Sequence, residues 1–278
     1  KREYRLMKFA CLVVLSFALF TNTPALSHEF WIDPVEFQIK SGQPVAADLR
    51  NGELFKGTQL SYFERTTSRI DVTMAGETAA ITGRMGDRPA IQLPAPTQDG
   101  LMILAHEAMP AVITYQDWAK FIKFAAHKDF SEAEAIHTAR GWEKTGFEET
   151  YTRHSKSLIA VGSGEGADRA LGLATEFVAL DNPYASSFDG VLDVELLYNG
   201  APRTDAQIEV YTRDAQDMVE VATVRTDDTG RAAIPVEAGM EYLLDAVVLR
   251  PVANTRTVAE GPVWETLWAS MTFAVPER

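Results

Sequence analysis

Apolar residues in this chain recur mainly in short alternating runs, broken by Gly, Asn, Asp and Pro. A period of two places every second side chain on one face of a sheet, so the pattern commits most of the chain to half-buried strands. The alternation is clearest beyond the break at Asp181-Asn182-Pro183-Tyr184. There the runs are Val191–Tyr198, Ala206–Tyr211, Val219–Thr226, Ala232–Val236, Glu241–Leu249 and Trp268–Val275. Asn199-Gly200 is a two-residue hairpin signal, because both residues tolerate the positive φ of a tight reversing turn. Strands at this spacing predict a small antiparallel β-sandwich over residues 184–278.

The segment 28–183 reads as a second β domain. Val35–Ile39, Val45–Leu49, Leu60–Phe63, Ile70–Met74, Leu101–Ala105, Ser157–Val161 and Glu176–Leu180 are the expected strands. A helical insertion interrupts it over about residues 116–141. In Asp117-Trp118-Ala-Lys-Phe121-Ile122-Lys-Phe124-Ala125 the apolar residues fall at helical spacing, with Asp117 as N-cap. Ser131-Glu-Ala-Glu134 has the form of a capping box for a second helix ending at Gly141. The expected class is therefore mainly β: two β domains, the first with a helical insertion.

Residues 1–27 read as a secretory signal peptide. A short apolar run, Met7–Phe20, follows Arg5 and Lys8, and Ala25-Leu26-Ser27 offers small residues where signal peptidase cuts. Met7 reads as the natural start of that leader. Cleavage after Ser27 would expose His28-Glu-Phe-Trp31 and place the chain in the periplasm or outside the cell. Removing four basic residues and one acidic would take the net charge from −13 to −16. Such a charge argues against nucleic acid, whose affinity depends on Lys and Arg neutralising phosphates. No other apolar run approaches the roughly 20 residues of a spanning helix, so no membrane insertion is expected of the processed chain. Cys11, the single cysteine, lies within the leader. Disulfides, thiolate metal sites and cysteine nucleophiles are thereby excluded from the processed chain.

An N-terminal His28 would carry a free α-amine and an imidazole on one residue, a ready bidentate chelator. With no thiolate present, a transition-metal site would draw on His and carboxylate donors, which suit Ni, Co, Cu(II) or Zn. His28 is the anchor candidate, His106 at a strand end the next, and His127 the third, although the end of a helix also favours a histidine at that place through its dipole. Glu29 would ligate or orient. His137 and His154 are not assigned to the site, and no His pair with helical zinc spacing occurs. No Gly-x-Ser-x-Gly elbow supports hydrolysis, and no catalytic residue is assigned.

His28-Glu-Phe-Trp31 after a leader, Tyr198-Asn-Gly-Ala-Pro202, Thr226-Asp-Asp-Thr-Gly230 and Trp264-Glu-Thr-Leu-Trp-Ala-Ser-Met-Thr-Phe273 together resemble the exported DUF4198 family. The resemblance spans essentially the whole processed chain. It implies a transthyretin-like or carboxypeptidase-regulatory-like C-terminal sandwich. By association it also implies a non-enzymatic role beside periplasmic nickel and cobalt uptake, with a membrane metal transporter as partner. Two other readings stay open: a carbohydrate- or protein-binding sandwich module without metal, and a copper monooxygenase whose N-terminal His brace would need His106 as its second histidine.

Overall fold

In Leu101-Met-Ile-Leu104 every residue is apolar, which is the signature of a strand covered on both sides. Leu101 and Ile103 enter one hydrophobic core, while Met102 and Leu104 enter another. That division organises the molecule: a central sheet is sandwiched between two covering layers. The computed structural model describes residues 28–253 and 257–277, so the expected leader at 1–27 lies outside the described residues.

The elements of the first half are β1 (Glu29–Pro34), β2 (Gln38–Ile39), β3 (Val45–Glu53), β4 (Lys56–Leu60), β5 (Thr67–Met74), β6 (Glu77–Ala80), β7 (Ile91–Leu93), β8 (Gly100–Ala108) and β9 (Ala111–Tyr115). Two helices follow, α1 (Trp118–His127) and α2 (Ala133–Ala139), then β10 (Phe147–Val161) and β11 (Thr175–Ala179). The remainder is β12 (Val191–Tyr198), β13 (Ala201–Pro202), β14 (Gln207–Arg213), β15 (Val219–Arg225), β16 (Arg231–Pro235), β17 (Glu241–Pro251) and β18 (Trp264–Ala274). The central sheet runs β15-β14-β17-β18-β10-β8-β5-β6, with β2 and β9 also paired to β10. On one face lies the sheet β11-β12-β13, with β16 beside β12; the sheet β1-β3-β4, with β7 beside β3, covers part of the other. The helices share that second face, where Phe121, Phe124 and Ala125 close over Phe147, Val247, Trp264 and Trp268.

The protein is mainly β, as the sequence predicts. Asn199 and Gly200 adopt φ 51° and 74°, giving the expected hairpin between β12 and β13. Asp117 caps α1 by accepting from the Ala119 N–H at 2.9 Å.

Several expectations need correction. The long sheet crosses the Asp181–Tyr184 break, because β10 pairs in parallel with β18 from Glu149↔Trp264 to Ser157↔Thr272. The C-terminal sandwich therefore shares its larger sheet with the N-terminal part. A strand precedes the expected Val35–Ile39 run, whose ladder shrinks to Gln38–Ile39, and Leu60–Phe63 gives way to β4 ending at Leu60. The capping box at Ser131 does not form: Glu132 is the N-cap of α2, with no side-chain bond. Ser157–Val161 is only the end of β10, whose earlier residues are polar enough to hide the strand from a hydrophobicity reading.

Among the described residues β1 pairs only with β3, which leaves its other edge without a neighbouring strand. Side-chain hydroxyls of the central sheet supply the missing partners. Ser270 donates to the Phe30 carbonyl at 2.7 Å and Ser155 to the same oxygen at 3.2 Å, while Thr272 donates to the Ile32 carbonyl at 2.7 Å. Buried main-chain oxygens need such partners. The hydroxyl row thus fixes where β1, and with it His28, lies over the sheet.

Candidate functional site

Where the β1 end of one covering sheet faces the helical layer, a cleft of about 520 Å³ opens over the central sheet. His28 and Asn51 line one side, Tyr115, Asp117, Lys120 and Phe124 the other, and Glu149, Tyr151, Arg153 and Trp268 the floor. The floor residues come from odd positions of β10 and an even position of β18, which the parallel register brings to one face.

Each sequence-selected residue has a definite place. The His28 side chain is 53% exposed, and its Nε2 lies 3.5 Å from Glu53 Oε1 at the end of β3. Its main-chain carbonyl accepts from Arg153 Nη2 at 3.1 Å. His106 is buried: its ring stacks on Phe30 at 5.1 Å and its Nε2 lies 3.3 Å from Thr67 Oγ1. Burial, aided by His154, pushes His106 down to about 3, so it stays neutral at ordinary pH. His154 is buried and bonded through Nδ1 to the Trp268 carbonyl at 3.0 Å. His137 is also buried, accepting from the Trp264 indole at 3.0 Å. His28 and Glu29, neighbours in sequence, have different surroundings: His28 lines the cleft, while Glu29 lies beside Lys128.

Glu29 and His127 belong to a separate buried cluster. Lys128, just past α1, donates through Nζ to Glu209 Oε2 at 2.6 Å and to Asp245 Oδ2 at 2.9 Å, and lies 3.6 Å from Glu29 Oε1. Its ammonium also sits 4.8 Å from the centroid of Trp268. The Tyr211 hydroxyl donates to Glu209 at 2.6 Å, and His127 Nε2 approaches the other Glu209 oxygen at 2.9 Å. Burial and the Asp245 charge push Glu29 up to about 7. Burial raises Asp245 as well. For Glu209 burial is outweighed by His127 and Lys128, which hold it down to about 2. The contact with Glu209 raises His127. One ammonium thus serves three carboxyls, and the sequence gives no hint of it because its members stand far apart along the chain.

Among the described residues no group of three or more His, Asp or Glu side chains is arranged to hold a metal ion. At the cleft, His28 meets the Glu53 carboxylate. With the α-amine that cleavage would free, they make a nitrogen, nitrogen and oxygen set, which fits a borderline divalent ion. His106 is enclosed in its aromatic contact, and His127 is engaged with Glu209.

Glu149, on the cleft floor, accepts from Thr266 Oγ1 at 2.5 Å and from the Tyr115 hydroxyl at 3.1 Å. Burial dominates and pushes its carboxyl up to about 7 from 4.5. A carboxyl raised in the folded state contributes stability below about pH 4.5 and loses it as pH rises through 7. Glu149→Gln is therefore expected to flatten the pH dependence and to be more stable than the parent at pH 8 by ~2 kcal/mol. Urea denaturation at pH 5 and pH 8 checks this: equal differences at both values would show that Glu149 does not titrate there.

The model of the domain of unknown function DUF4198 matches residues 25–250. This chain belongs to the DUF4198 family. No curated protein matches it. Among solved structures, the DUF4198 chain is similar to a tetra-tandem repeat from the extending region of a large adhesion protein, with 10% identity over 89% of this chain and 49% of that one at a TM-score of 0.23. A Salmonella alpha-2-macroglobulin mutant matches with 11% identity over 89% of this chain and 15% of that chain, TM-score 0.23. An elastase-activated Escherichia coli alpha-2-macroglobulin matches with 10% identity over 90% and 20%, again at 0.23. The chain spans about half of the first and a fifth or less of the others, and likenesses at this TM-score carry no argument about its function. No helix among the described residues is long and apolar enough to cross a membrane.

Proposed function

We propose that this DUF4198 protein is an exported binder of a divalent transition metal, nickel or cobalt, which it holds through His28 for uptake or handling in the periplasm. The observation that carries the reading is the exposed His28 imidazole, 3.5 Å from the Glu53 carboxylate at the mouth of the cleft. Cleavage after Ser27 would add the α-amine to this pair. His28 would supply two nitrogens, Glu53 a carboxylate oxygen, and solvent or a partner the remaining positions. A metal transporter in the membrane is the partner this reading calls for. Four of the five tryptophans favour it over a sugar-stacking module: Trp31, Trp142 and Trp264 are buried and do not line the cleft, and Trp118 lies in the aromatic cluster of the helical layer.

Titrating Ni, Co, Cu and Zn into the processed protein by calorimetry tests the proposal. One ion per chain is expected, with Glu53→Gln weakening it by about tenfold. Absence of heat with all four ions, or undiminished binding in Glu53→Gln, would count against this site.

A further inference from the structure

Among the described residues Arg153 is the one cation on the cleft floor, and no carboxylate forms an ion pair with it. Its Nη2 donates to the His28 carbonyl, and its guanidinium lies 4.7 Å from the Tyr151 ring centroid and 6.0 Å from that of Trp268. Its Nε is buried without a hydrogen-bond partner, and so is Oδ1 of Asn51 on the adjoining wall. The Tyr151 hydroxyl bonds to the guanidinium, and Asp245 and Glu149 act on it through charge without a direct contact. A half-buried guanidinium lacking a carboxylate is costly unless something else supplies the charge. Lys120, exposed on α1, lines the same cleft as a second cation, and of the two carboxyls in the lining Glu149 is bonded to Thr266 and Tyr115. Asp117 is engaged in capping α1.

The remaining lining is largely apolar: Ile113, Tyr115, Phe124 and Trp268. A volume of about 520 Å³ suits a small molecule. We propose that this cleft binds a small organic carboxylate, its anionic group on Arg153 and Lys120 and its apolar body against Phe124 and Trp268. A carboxylate has two oxygens, one for the guanidinium and one for the ammonium, and the aromatic walls reward a flat body rather than a bare ion. Glu53, the carboxylate of the proposed metal pair, does not line this cleft, and the test is made without metal, so the two readings fail separately.

Benzoate is the probe, titrated by calorimetry into protein stripped of metal on a chelating resin. Benzamide serves as the neutral control and inorganic phosphate as the bare anion. One benzoate per chain is expected, with benzamide and phosphate each at least about tenfold weaker. Arg153→Gln should weaken benzoate by about tenfold or more. Because Arg153 also holds the His28 carbonyl, Lys120→Glu on the exposed helix surface provides the second variant, with a similar loss expected. Equal affinity for benzoate and benzamide, tighter binding of phosphate, or full affinity in both charge variants would overturn the assignment. So would binding that appears only after metal is restored, which would place the anion on the ion at His28.

Discussion

Lys128→Met is expected to destabilise the protein by about 3–5 kcal/mol at pH 8, enough to abolish folding in a marginal background. The side chain is 3% exposed and faces Glu209, Asp245 and Glu29, two of them already raised by burial. Methionine fills similar volume, so the loss is electrostatic: three carboxyls would be left without their cation. The cost should shrink toward pH 5, where Glu29, pushed up to about 7, carries a proton in the folded state. The sign follows from linkage, since carboxyls raised in the folded state stabilise it at low pH and withdraw that stability as pH rises. Adding Asp245→Asn should recover part of the loss at pH 8. Urea denaturation across this range checks the account, and a cost independent of pH would show that packing alone had been removed.

Phe121→Ala carries the second large effect. Phe121 is fully buried and touches Tyr115, Trp118, Phe147 and Trp264, with ring centroids 5.1 to 5.5 Å away. Removing an aromatic ring from such a nest costs about 3–5 kcal/mol, as lost transfer energy plus an unfilled cavity. The loss should concentrate in the helical layer that walls the cleft, because β17 and β18 keep a separate core on their opposite face. Hydrogen exchange is the discriminating measurement. Protection is expected to fall across α1 and α2 first, while β12 and β14 stay protected; a uniform loss would show the layers to be one cooperative unit.

The fold was legible wherever local chemistry decides. Asp117 caps α1 by a side-chain bond two residues away, and Asn199-Gly200 turns because those two residues accept positive φ. Both signals are short-range, and both survive in the structure. The first ten residues of β10 escaped because Glu149, Thr150, Thr152, Arg153, His154 and Lys156 suppress the hydrophobic signal. They are tolerated where they find partners across the sheet or beside it, as Glu149 does with Thr266 and Lys156 with Asp168. The candidate site shows the same division. His28 could be singled out for its donors, and Glu53 is within 25 residues, but nothing in either position announces their meeting. Arg153 reaches the His28 carbonyl across 125 residues of chain, and Lys128 meets Asp245 across 117. Such pairings depend on the parallel β10–β18 register and on how β1 is seated, neither of which a periodicity can express.

The proposed metal site requires that the α-amine and imidazole of His28 act together on one ion. The most direct test is nickel titration of two forms of the same protein, one processed to begin at His28 and one retaining residues 1–27. The processed form is predicted to bind one ion, about 100-fold more tightly than the longer chain, since losing the amine breaks the chelate. Equal affinity in the two forms would contradict the claim.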